Sequence, residues 1–346
     1  MKTFQFQATG IGSLGHIHSP EATSLVLNLF KEIPFWVQLP QRSFRENMYV
    51  QFSEGIPGIV IKEEERKVYV DTRKMEEEEL VNIYERYLAG NPDGFAMSEE
   101  YAQGLYEFLK QIKKKIFSFN YLKGQITGPV SFLLTVTDEE RRPLIYNEEV
   151  ADVILKVLTL KALWQVRRIK EVSEKVIIFI DEPYLVSIGS GFVNLDPQKV
   201  LTHLNEMIEV IQQEKVIVGI HCCGNTDWGL LTQTKIDIIS FDAYNFSESL
   251  ALYAEQINRF LKRGGAIAWG IVPTMLEPKE IDSSGLFERL NKLIRLLSDR
   301  GIEKGLLVEN SLVTPSCGLG SYSSQKGEIV LRITHELSER MRDGFR

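Results

Sequence analysis

Short, continuously apolar runs alternate with longer amphipathic stretches along most of the chain. In the second half, runs such as KVIIFID, KVIVGIH and GAIAWGI each precede a stretch with apolar residues every three or four positions. The apolar runs predict strands buried on both faces, and the longer period predicts helices. The predicted strands span residues 4–13, 33–40, 119–127, 176–181, 216–222, 236–242, 265–271 and 305–310.

Eight strands with helices between them predict an α/β fold of the closed (β/α)8 type, a TIM barrel. The alternative is an open, doubly wound parallel sheet. We expect a single domain over residues 1–346, because no linker rich in Pro, Gly or Ser interrupts the pattern. Residues 41–75 follow neither period. The runs EGIPGIVI and KVYVDT within them predict a short hairpin in an irregular insertion at the barrel rim.

Composition and charge indicate which kinds of partner and location to expect. Hydrophobic residues make up 44% of the chain, and the net charge of −7 argues against nucleic acid as a partner. No run of about 18 apolar residues predicts a membrane span, and the first residues do not have the pattern of a signal peptide. Three cysteines cannot form a closed disulfide framework, so we expect a reducing, cytoplasmic location.

Polar residues collect where the predicted strands end. The first strand ends at Gly12-Ser13, the fourth at Asp181, the fifth at His221 to Cys223 and the sixth at Asp242, and the last leads to Cys317. Active sites of these barrels lie at the C-terminal ends of the strands. These side chains are therefore expected to meet at one mouth.

Two of the cysteines suggest a metal centre. Side chains alternate along a strand, so His221 and Cys223 face the mouth together while Cys222 points away into the structure. With Cys317 they offer the nitrogen and sulfur atoms that zinc prefers, with a coordination position left for substrate. Asp242 is a candidate oxygen ligand or a hydrogen-bond acceptor for His221. The alternative is that the cysteines are small buried hydrophobic residues.

Two carboxylates end the FIDEP strand. A buried carboxylate is unfavourable without a partner, so Asp181 at the mouth favours a cation such as a substrate ammonium. Glu182 is expected to point into the barrel wall, towards a backbone or Arg partner. The alternative is that both are structural. The run GIGSLG near Ser13 lacks the lysine and the spacing of a phosphate-binding loop, but its glycines allow close approach of a ligand carboxylate.

Six motifs together resemble a known family. GIGSLGH, KGQITGPVSF, FIDEP, HCCGN, ISFDAY and TPSCGLGS occur in the order seen in the catalytic half of cobalamin-independent methionine synthase. They also resemble the wider superfamily of uroporphyrinogen decarboxylase and the corrinoid-linked methyltransferases. The resemblance covers nearly the whole chain, and its most specific motifs are the His-x-Cys pair and the later Pro-x-Cys-Gly.

The resemblance implies particular roles. It implies zinc held by His221, Cys223 and Cys317, with Asp242 in the place of the Glu that is the fourth ligand in the family. It implies contacts to homocysteine from Asp181 to the amino group and from Ser13 to the carboxylate. Glu46, in SFRENM, is a further candidate for the amino group. The function implied is zinc-dependent methyl transfer to homocysteine.

Two departures from the family bear on the methyl donor. The full-length enzymes carry a second barrel before the catalytic one, which this sequence does not show. They also carry an Asp-His pair after strand seven, where this chain has WGIVPT. We therefore expect a methylated corrinoid protein or methylcobalamin as donor. Two alternatives are methyl transfer to another thiol such as coenzyme M, and a non-catalytic barrel that binds a corrinoid or tetrapyrrole. The decarboxylase branch needs no metal and is disfavoured by the Cys and His set.

Overall fold

A computed structural model describes residues 3–114, 118–188 and 195–345. Its strands are β1 (Gln7–Ala8), β2 (Ile59–Lys62), β3 (Lys67–Val70), β4 (Leu122–Thr127), β5 (Thr137–Asp138), β6 (Val176–Asp181), β7 (Ile217–Cys222), β8 (Ile238–Phe241), β9 (Ala266–Val272) and β10 (Ser311–Pro315). Its α-helices are α1 (Ser19–Leu29), α2 (Met48–Gln51), α3 (Glu77–Leu88), α4 (Glu99–Lys114), α5 (Pro129–Thr135), α6 (Glu148–Lys170), α7 (Pro197–Gln212), α8 (Trp228–Leu231), α9 (Ala243–Ala251), α10 (Ala254–Lys262), α11 (Ser283–Asp299), α12 (Lys304–Glu309) and α13 (Ser324–Gly344). Short 3-10 helices span Phe44–Glu46, Thr72–Lys74, Leu144–Tyr146, Pro183–Ser187 and Pro278–Glu280.

Seven strands form one parallel sheet in the order β1-β10-β9-β8-β7-β6-β4. The sheet is curled, and helices lie around it, as the alternating pattern predicts. The predicted strands over 119–127, 176–181, 216–222, 236–242 and 265–271 are confirmed as β4 and β6 to β9. The predicted first strand is reduced to β1. A TIM-like α/β fold is therefore confirmed, whereas closure by eight continuous strands is not.

The predicted second strand, residues 33–40, does not form a ladder. This segment makes isolated parallel bridges, Phe35 with Lys123 of β4 and Gln38 with Ser13. The backbone N–H of Trp36 donates to the Lys123 carbonyl at 3.2 Å, and that of Gln38 donates to the Gly12 carbonyl at 3.1 Å. The segment therefore lies between β4 and the residues after β1. Proline at positions 34 and 40 removes a backbone donor near each end of the segment.

The predicted strand over residues 305–310 is wrong. Residues 305–309 belong to α12, Asn310 follows the helix, and the strand β10 begins at Ser311. A short apolar run such as GLLVE fits a helix turn as well as a strand, and its length does not decide between them. The helix buries Leu307, and the Asn310 side-chain amide donates to the Leu306 carbonyl at 3.0 Å. The correction places Cys317 two residues after a strand end rather than seven.

The insertion at the rim contains the predicted hairpin. Strands β2 and β3 pair antiparallel, with Ile59 opposite Val70 and Lys62 opposite Lys67. Strand β3 also pairs parallel with β5, which forms a second, three-stranded sheet. Arg66, the last residue of the hairpin turn, lines the cavity described below.

Apolar side chains fill two layers. A large cluster lies between the sheet and the surrounding helices, and Cys222 belongs to it as the alternation predicts. A smaller cluster fills the interior of the curled sheet and includes Ile177, Phe179 and Ile217. In the described ranges, no helix combines the length and hydropathy that a membrane crossing requires. The interior cluster forms the floor beneath the polar strand ends.

Candidate metal centre

Three neighbouring strands place polar side chains at one level of the sheet. Asp181 of β6 pairs with His221 of β7, which pairs in turn with Ser240 of β8. Residues paired across parallel strands point to the same face. One row of the sheet therefore changes from apolar to polar at its carboxyl ends, above the interior cluster that contains Phe179.

His221, Cys223 and Cys317 come together above this row. Their potential ligand atoms all lie within 4.8 Å of one another. His221 is 3% exposed, and both cysteines are partly buried and free of disulfide bonds. The residues come from the ends of β7 and β10, which are not adjacent in the sheet. The predicted grouping of these three side chains is thus present in the fold.

The imidazole of His221 is oriented by a hydroxyl. Its Nδ1 lies 2.9 Å from Oγ of Ser240, which is buried. Its Nε2 is buried and has no hydrogen-bond partner. When Nδ1 donates its proton to Ser240, Nε2 carries a free lone pair towards the two sulfur atoms. This is the arrangement of metal-binding histidines, whose second nitrogen is fixed by a hydrogen bond.

The two facing thiols differ in acidity. A hydrogen bond from Cys317, together with the neighbouring imidazole of His221, holds the pKa of Cys223 well below its usual range. The same hydrogen bond to Cys223, together with burial, raises the pKa of Cys317. The two sulfur atoms thus lie within hydrogen-bond reach of each other. A divalent metal bound to both cysteines would take them as thiolates.

Asp181 is a buried carboxylate with one oxygen that accepts no hydrogen bond. It is 8% exposed, and its Oδ1 is buried without a hydrogen-bond partner. Burial raises the pKa of Asp181 to about 6, against the opposing charges of His221 and Lys123. An acceptor oxygen left free in such a place is unfavourable unless a ligand donates to it. The geometry is consistent with the predicted contact to an ammonium group.

A cavity of about 500 Å³ joins these groups. Six of the seven predicted site residues line it, namely Ser13, Glu46, Asp181, His221, Cys223 and Cys317. Its wall also includes Ile11, Gln38, Pro40, Gln41, Asn47, Met48, Arg66, Pro183, Gly318, Gly320 and Ser321. The volume is typical of a small-molecule site. The fold therefore brings the predicted substrate and metal residues to one place.

Ser13 and Glu46 already have partners in this cavity. The Ser13 hydroxyl accepts from the backbone N–H of Gly320 at 3.2 Å. The Glu46 carboxylate accepts from the Leu39 backbone at 2.7 Å and forms an ion pair with Arg42. Burial raises the pKa of Glu46 to about 7 against these contacts. Asp181, with its free oxygen, is consequently the more available carboxylate for a ligand cation.

Asp242 lies outside the cluster. It begins helix α9 as its N-cap, and both carboxylate oxygens accept from Asn245, at 2.9 Å from the backbone and 2.7 Å from the side chain. It does not line the cavity. The hydrogen bond to His221 that is one of the two predicted roles of Asp242 is made by Ser240, two residues earlier. Its role as a metal ligand stays a prediction, since it requires release of Asn245.

Glu182 points into the wall as predicted. Its oxygens accept from the backbone N–H groups of Val130 and Ser131 at 2.9 and 2.8 Å, and from the Ser131 hydroxyl at 2.6 Å. These donors belong to the first turn of α5. Glu182 therefore fixes that turn beside the cavity and does not face a ligand.

Sequence reasoning missed Ser240 and Lys123. Ser240 shares the parity of Asp242 in ISFDAY, so alternation places it inside the sheet one level lower. Lys123 interrupts a fully buried strand, and its Nζ donates to the Ile11 carbonyl at 2.7 Å beneath the cavity. A lysine within a strand predicted to be buried is a signal of an internal partner.

Comparison with known proteins identifies the fold. No protein-family model matches the chain, and no curated protein matches its sequence. Among solved structures, the chain is similar to a methyltransferase from Methanosarcina mazei, with 12% identity over 98% of this chain and 94% of that chain and a TM-score of 0.57. A modular endo-β-1,4-mannanase from Cellulomonas fimi shows 10% identity over 65% of this chain and 64% of that chain, with a TM-score of 0.27 that carries no argument. The first likeness shows a common fold.

Proposed function

We propose that this protein is a zinc-dependent methyltransferase that forms methionine from homocysteine. The observation that carries the proposal is the group of His221, Cys223 and Cys317, whose ligand atoms lie within 4.8 Å at the wall of a cavity. The motifs that resemble cobalamin-independent methionine synthase support the acceptor. The fold shared with a solved methyltransferase supports the reaction class.

The residues of the cluster fit zinc. One imidazole nitrogen and two sulfur atoms are a common catalytic ligand set, and the orphaned Nε2 of His221 needs a partner. Three protein ligands leave one position for a substrate atom. A zinc ion in this place would lower the pKa of a substrate thiol and keep it as a nucleophilic thiolate at neutral pH. Asp242 remains a proposed further ligand, which the substrate sulfur would replace.

The other residues orient the acceptor. The free Oδ1 of Asp181 accepts a hydrogen bond from the amino group of homocysteine, and Ser13 lies on the cavity wall for its carboxylate. Glu46 is a further proposed contact to the amino group. These contacts point the sulfur at the metal cluster. The thiol proton passes to water, the sulfur attacks the methyl carbon, and a new C–S bond replaces the bond to the donor.

The proposed donor is methylcobalamin or a methylated corrinoid protein. Transfer from methylfolate needs an acid that protonates the leaving nitrogen. The segment Trp269 to Thr274, at the end of β9, contains no carboxylic acid or histidine. A methyl–cobalt bond needs no such acid, because its electron pair stays on cobalt as cobalt(III) becomes cobalt(I). A corrinoid protein is therefore the proposed partner.

Supplying each donor to the zinc-loaded protein tests this proposal. We expect methionine from homocysteine with methylcobalamin, and little or none with methyltetrahydrofolate. The matched control is Cys317→Ser, which should hold little zinc and give no turnover. Efficient turnover with the folate alone contradicts the donor. Methyl transfer to coenzyme M but not to homocysteine contradicts the acceptor, and absence of turnover with every donor and thiol favours a non-catalytic binding barrel.

Asp181→Asn tests the acceptor site. The amide keeps the shape and loses the charge, and truncating one partner of a buried charge pair costs on the order of 2 kcal/mol. We expect the KM for homocysteine to rise by roughly 30-fold while zinc content stays unchanged. Unchanged kinetics would assign Asp181 a structural role.

A further inference from the structure

Arg66 occupies the tip of the rim hairpin. Its backbone N–H donates to the Glu63 carbonyl at 3.0 Å and closes the turn between β2 and β3. Its φ of 49° lies in the left-handed region, which glycine or asparagine adopts more readily than arginine. Its side chain nevertheless lines the cavity that holds the metal cluster. A long cationic side chain thus occupies a turn position that favours a smaller residue.

Several charged residues around Arg66 on the hairpin form ion pairs. Glu63 pairs with Arg45 at 2.7 Å, and Glu65 pairs with Lys67 at 2.7 Å. In the part of the chain that the structure describes, Arg66 makes no ion pair. Its guanidinium lies 5.2 Å from the ring centroid of Phe44, which is a cation–π distance. The aromatic ring supports the guanidinium and leaves its donors free.

Acidic and basic groups of the cavity lie at different depths. Asp181 and the two cysteines lie at the strand ends, and Arg66, which is exposed, lies at the rim. Arg66 is the one lysine or arginine among the described residues that line this cavity. Guanidinium groups bind carboxylates, sulfonates and phosphates through paired hydrogen bonds. When a ligand places its reactive atom at the metal cluster, its opposite end, which lies towards the rim, is near the Arg66 guanidinium.

We propose that Arg66 is a specificity residue that binds a negatively charged group of a substrate whose reacting end is at the His221, Cys223 and Cys317 cluster. This inference rests on the proposed function. The shared chemistry is an anion at the outer end of the ligand. It has two possible carriers, the carboxylate or sulfonate of the acceptor thiol and the phosphate of a corrinoid donor.

Three variants and matched ligands test the role. Arg66→Gln removes the charge and Arg66→Lys keeps it. Lys67→Gln is the control, because Lys67 lies on the same hairpin, pairs with Glu65 and does not line the cavity. The acceptors are homocysteine and 2-mercaptoethanesulfonate, which are anionic at one end, and 3-aminopropane-1-thiol, which is not. The donors are methylcobalamin and methylcobinamide, which lacks the phosphate.

We expect Arg66→Gln to raise the KM for the anionic thiols by about tenfold, as loss of a hydrogen bond to a charged group does. The KM for 3-aminopropane-1-thiol should not change, and Arg66→Lys should restore part of the loss. This result identifies the thiol as carrier. A rise in the KM for methylcobalamin, but not for methylcobinamide, identifies the donor instead. An equal effect on all ligands, or kinetics that match Lys67→Gln, overturns the proposal.

Binding measurements separate this proposal from the proposed function. Calorimetry of 2-mercaptoethanesulfonate and 3-aminopropane-1-thiol on the zinc-loaded protein needs no turnover. Failure of wild-type protein to transfer a methyl group would contradict the function. The binding ratio of the two thiols, compared between wild type and Arg66→Gln, would still decide the role of Arg66. Unchanged thermal unfolding of the variant excludes a folding defect.

Discussion

The two sides of the curled sheet are stabilised in different ways. On one side, β6 to β9 pair in continuous parallel register, and their inward residues are apolar up to the level of Asp181, His221 and Ser240. We call these four strands the ladder side. On the other side, the residues after β1, residues 33–40 and β4 meet through isolated bridges. We call this the closing side. Continuous backbone hydrogen bonds hold the ladder side together, whereas the closing side has too few of them and needs other contacts.

Buried side chains replace the ladder on the closing side. Lys123 donates to the Ile11 carbonyl at 2.7 Å, and the Gln125 amide donates to the Trp36 carbonyl at 3.1 Å. The Trp36 indole donates to Gln165 at 2.8 Å, and Gln165 donates back to the Gln125 carbonyl at 3.0 Å. Such networks favour one arrangement because each unpaired member would be unfavourable. The closing side is thus specified by a few polar side chains.

The two sides of the sheet also carry different groups of proposed functional residues. The ladder side carries His221 and Asp181 and leads into Cys223, while the closing side carries Ser13 and leads into the insertion with Glu46. The metal ligands accordingly depend mainly on rigid strand ends. The proposed contacts to the acceptor carboxylate depend on the turn that Lys123 holds through Ile11. Variants on the two sides should therefore have separable effects.

The ladder side was the more predictable from sequence. Its apolar runs and their period identify the strands, and alternation predicts the shared face of His221 and Cys223 and the burial of Cys222. The closing side was not predictable from the hydrophobic pattern. Its hydrogen bonds join residues as far apart in sequence as Ile11 and Lys123, and no local periodicity of the sequence indicates such pairs. The strand preceding Cys317 was misplaced because a short apolar run does not distinguish a helix turn from a strand.

The largest expected effect distinguishes the two faces of β7. We expect wild-type protein to bind about one zinc ion per chain, and Cys223→Ser and Cys317→Ser to lose most of it. Cys222→Ser should retain the metal, because Cys222 packs in the outer apolar cluster. Elemental analysis of the purified proteins provides the measurement. Equal losses at Cys222 and Cys223 would show that the assigned faces of the strand are wrong.

The next largest expected effect is a loss of stability on the closing side, which a comparison of two buried lysines tests. Lys123 and Lys161 are both 0% exposed, and each donates to a backbone carbonyl, Lys123 at 2.7 Å and Lys161 to Ala96 at 3.4 Å. Lys123→Met leaves the Ile11 carbonyl unpaired and removes an amino group whose charge acts on Asp181. We expect a loss of about 3 kcal/mol in the free energy of unfolding. Lys161→Met should be close to neutral, because its one hydrogen bond is long.

Urea unfolding of the two lysine variants gives these free energies, and elemental analysis gives their zinc content. Zinc binding should persist in both, because the metal ligands belong to other strand ends. Equal destabilisation would mean that burial of any lysine, and not the hydrogen bond to Ile11 on the closing side, sets the loss. Loss of zinc from Lys123→Met alone would show that the two sides are coupled.

The smallest effect concerns orientation on the ladder side. Ser240→Ala removes the hydroxyl that fixes Nδ1 of His221 and leaves all three proposed ligands in place. Changes in such supporting hydrogen bonds weaken metal affinity by 10- to 100-fold, and we expect about tenfold because the buried imidazole is also held by packing. Competition with a chromophoric chelator measures this affinity. Ser240→Thr, which keeps the hydroxyl, should remain near wild type, and equal weakening in both variants would indicate a packing effect at β8 instead.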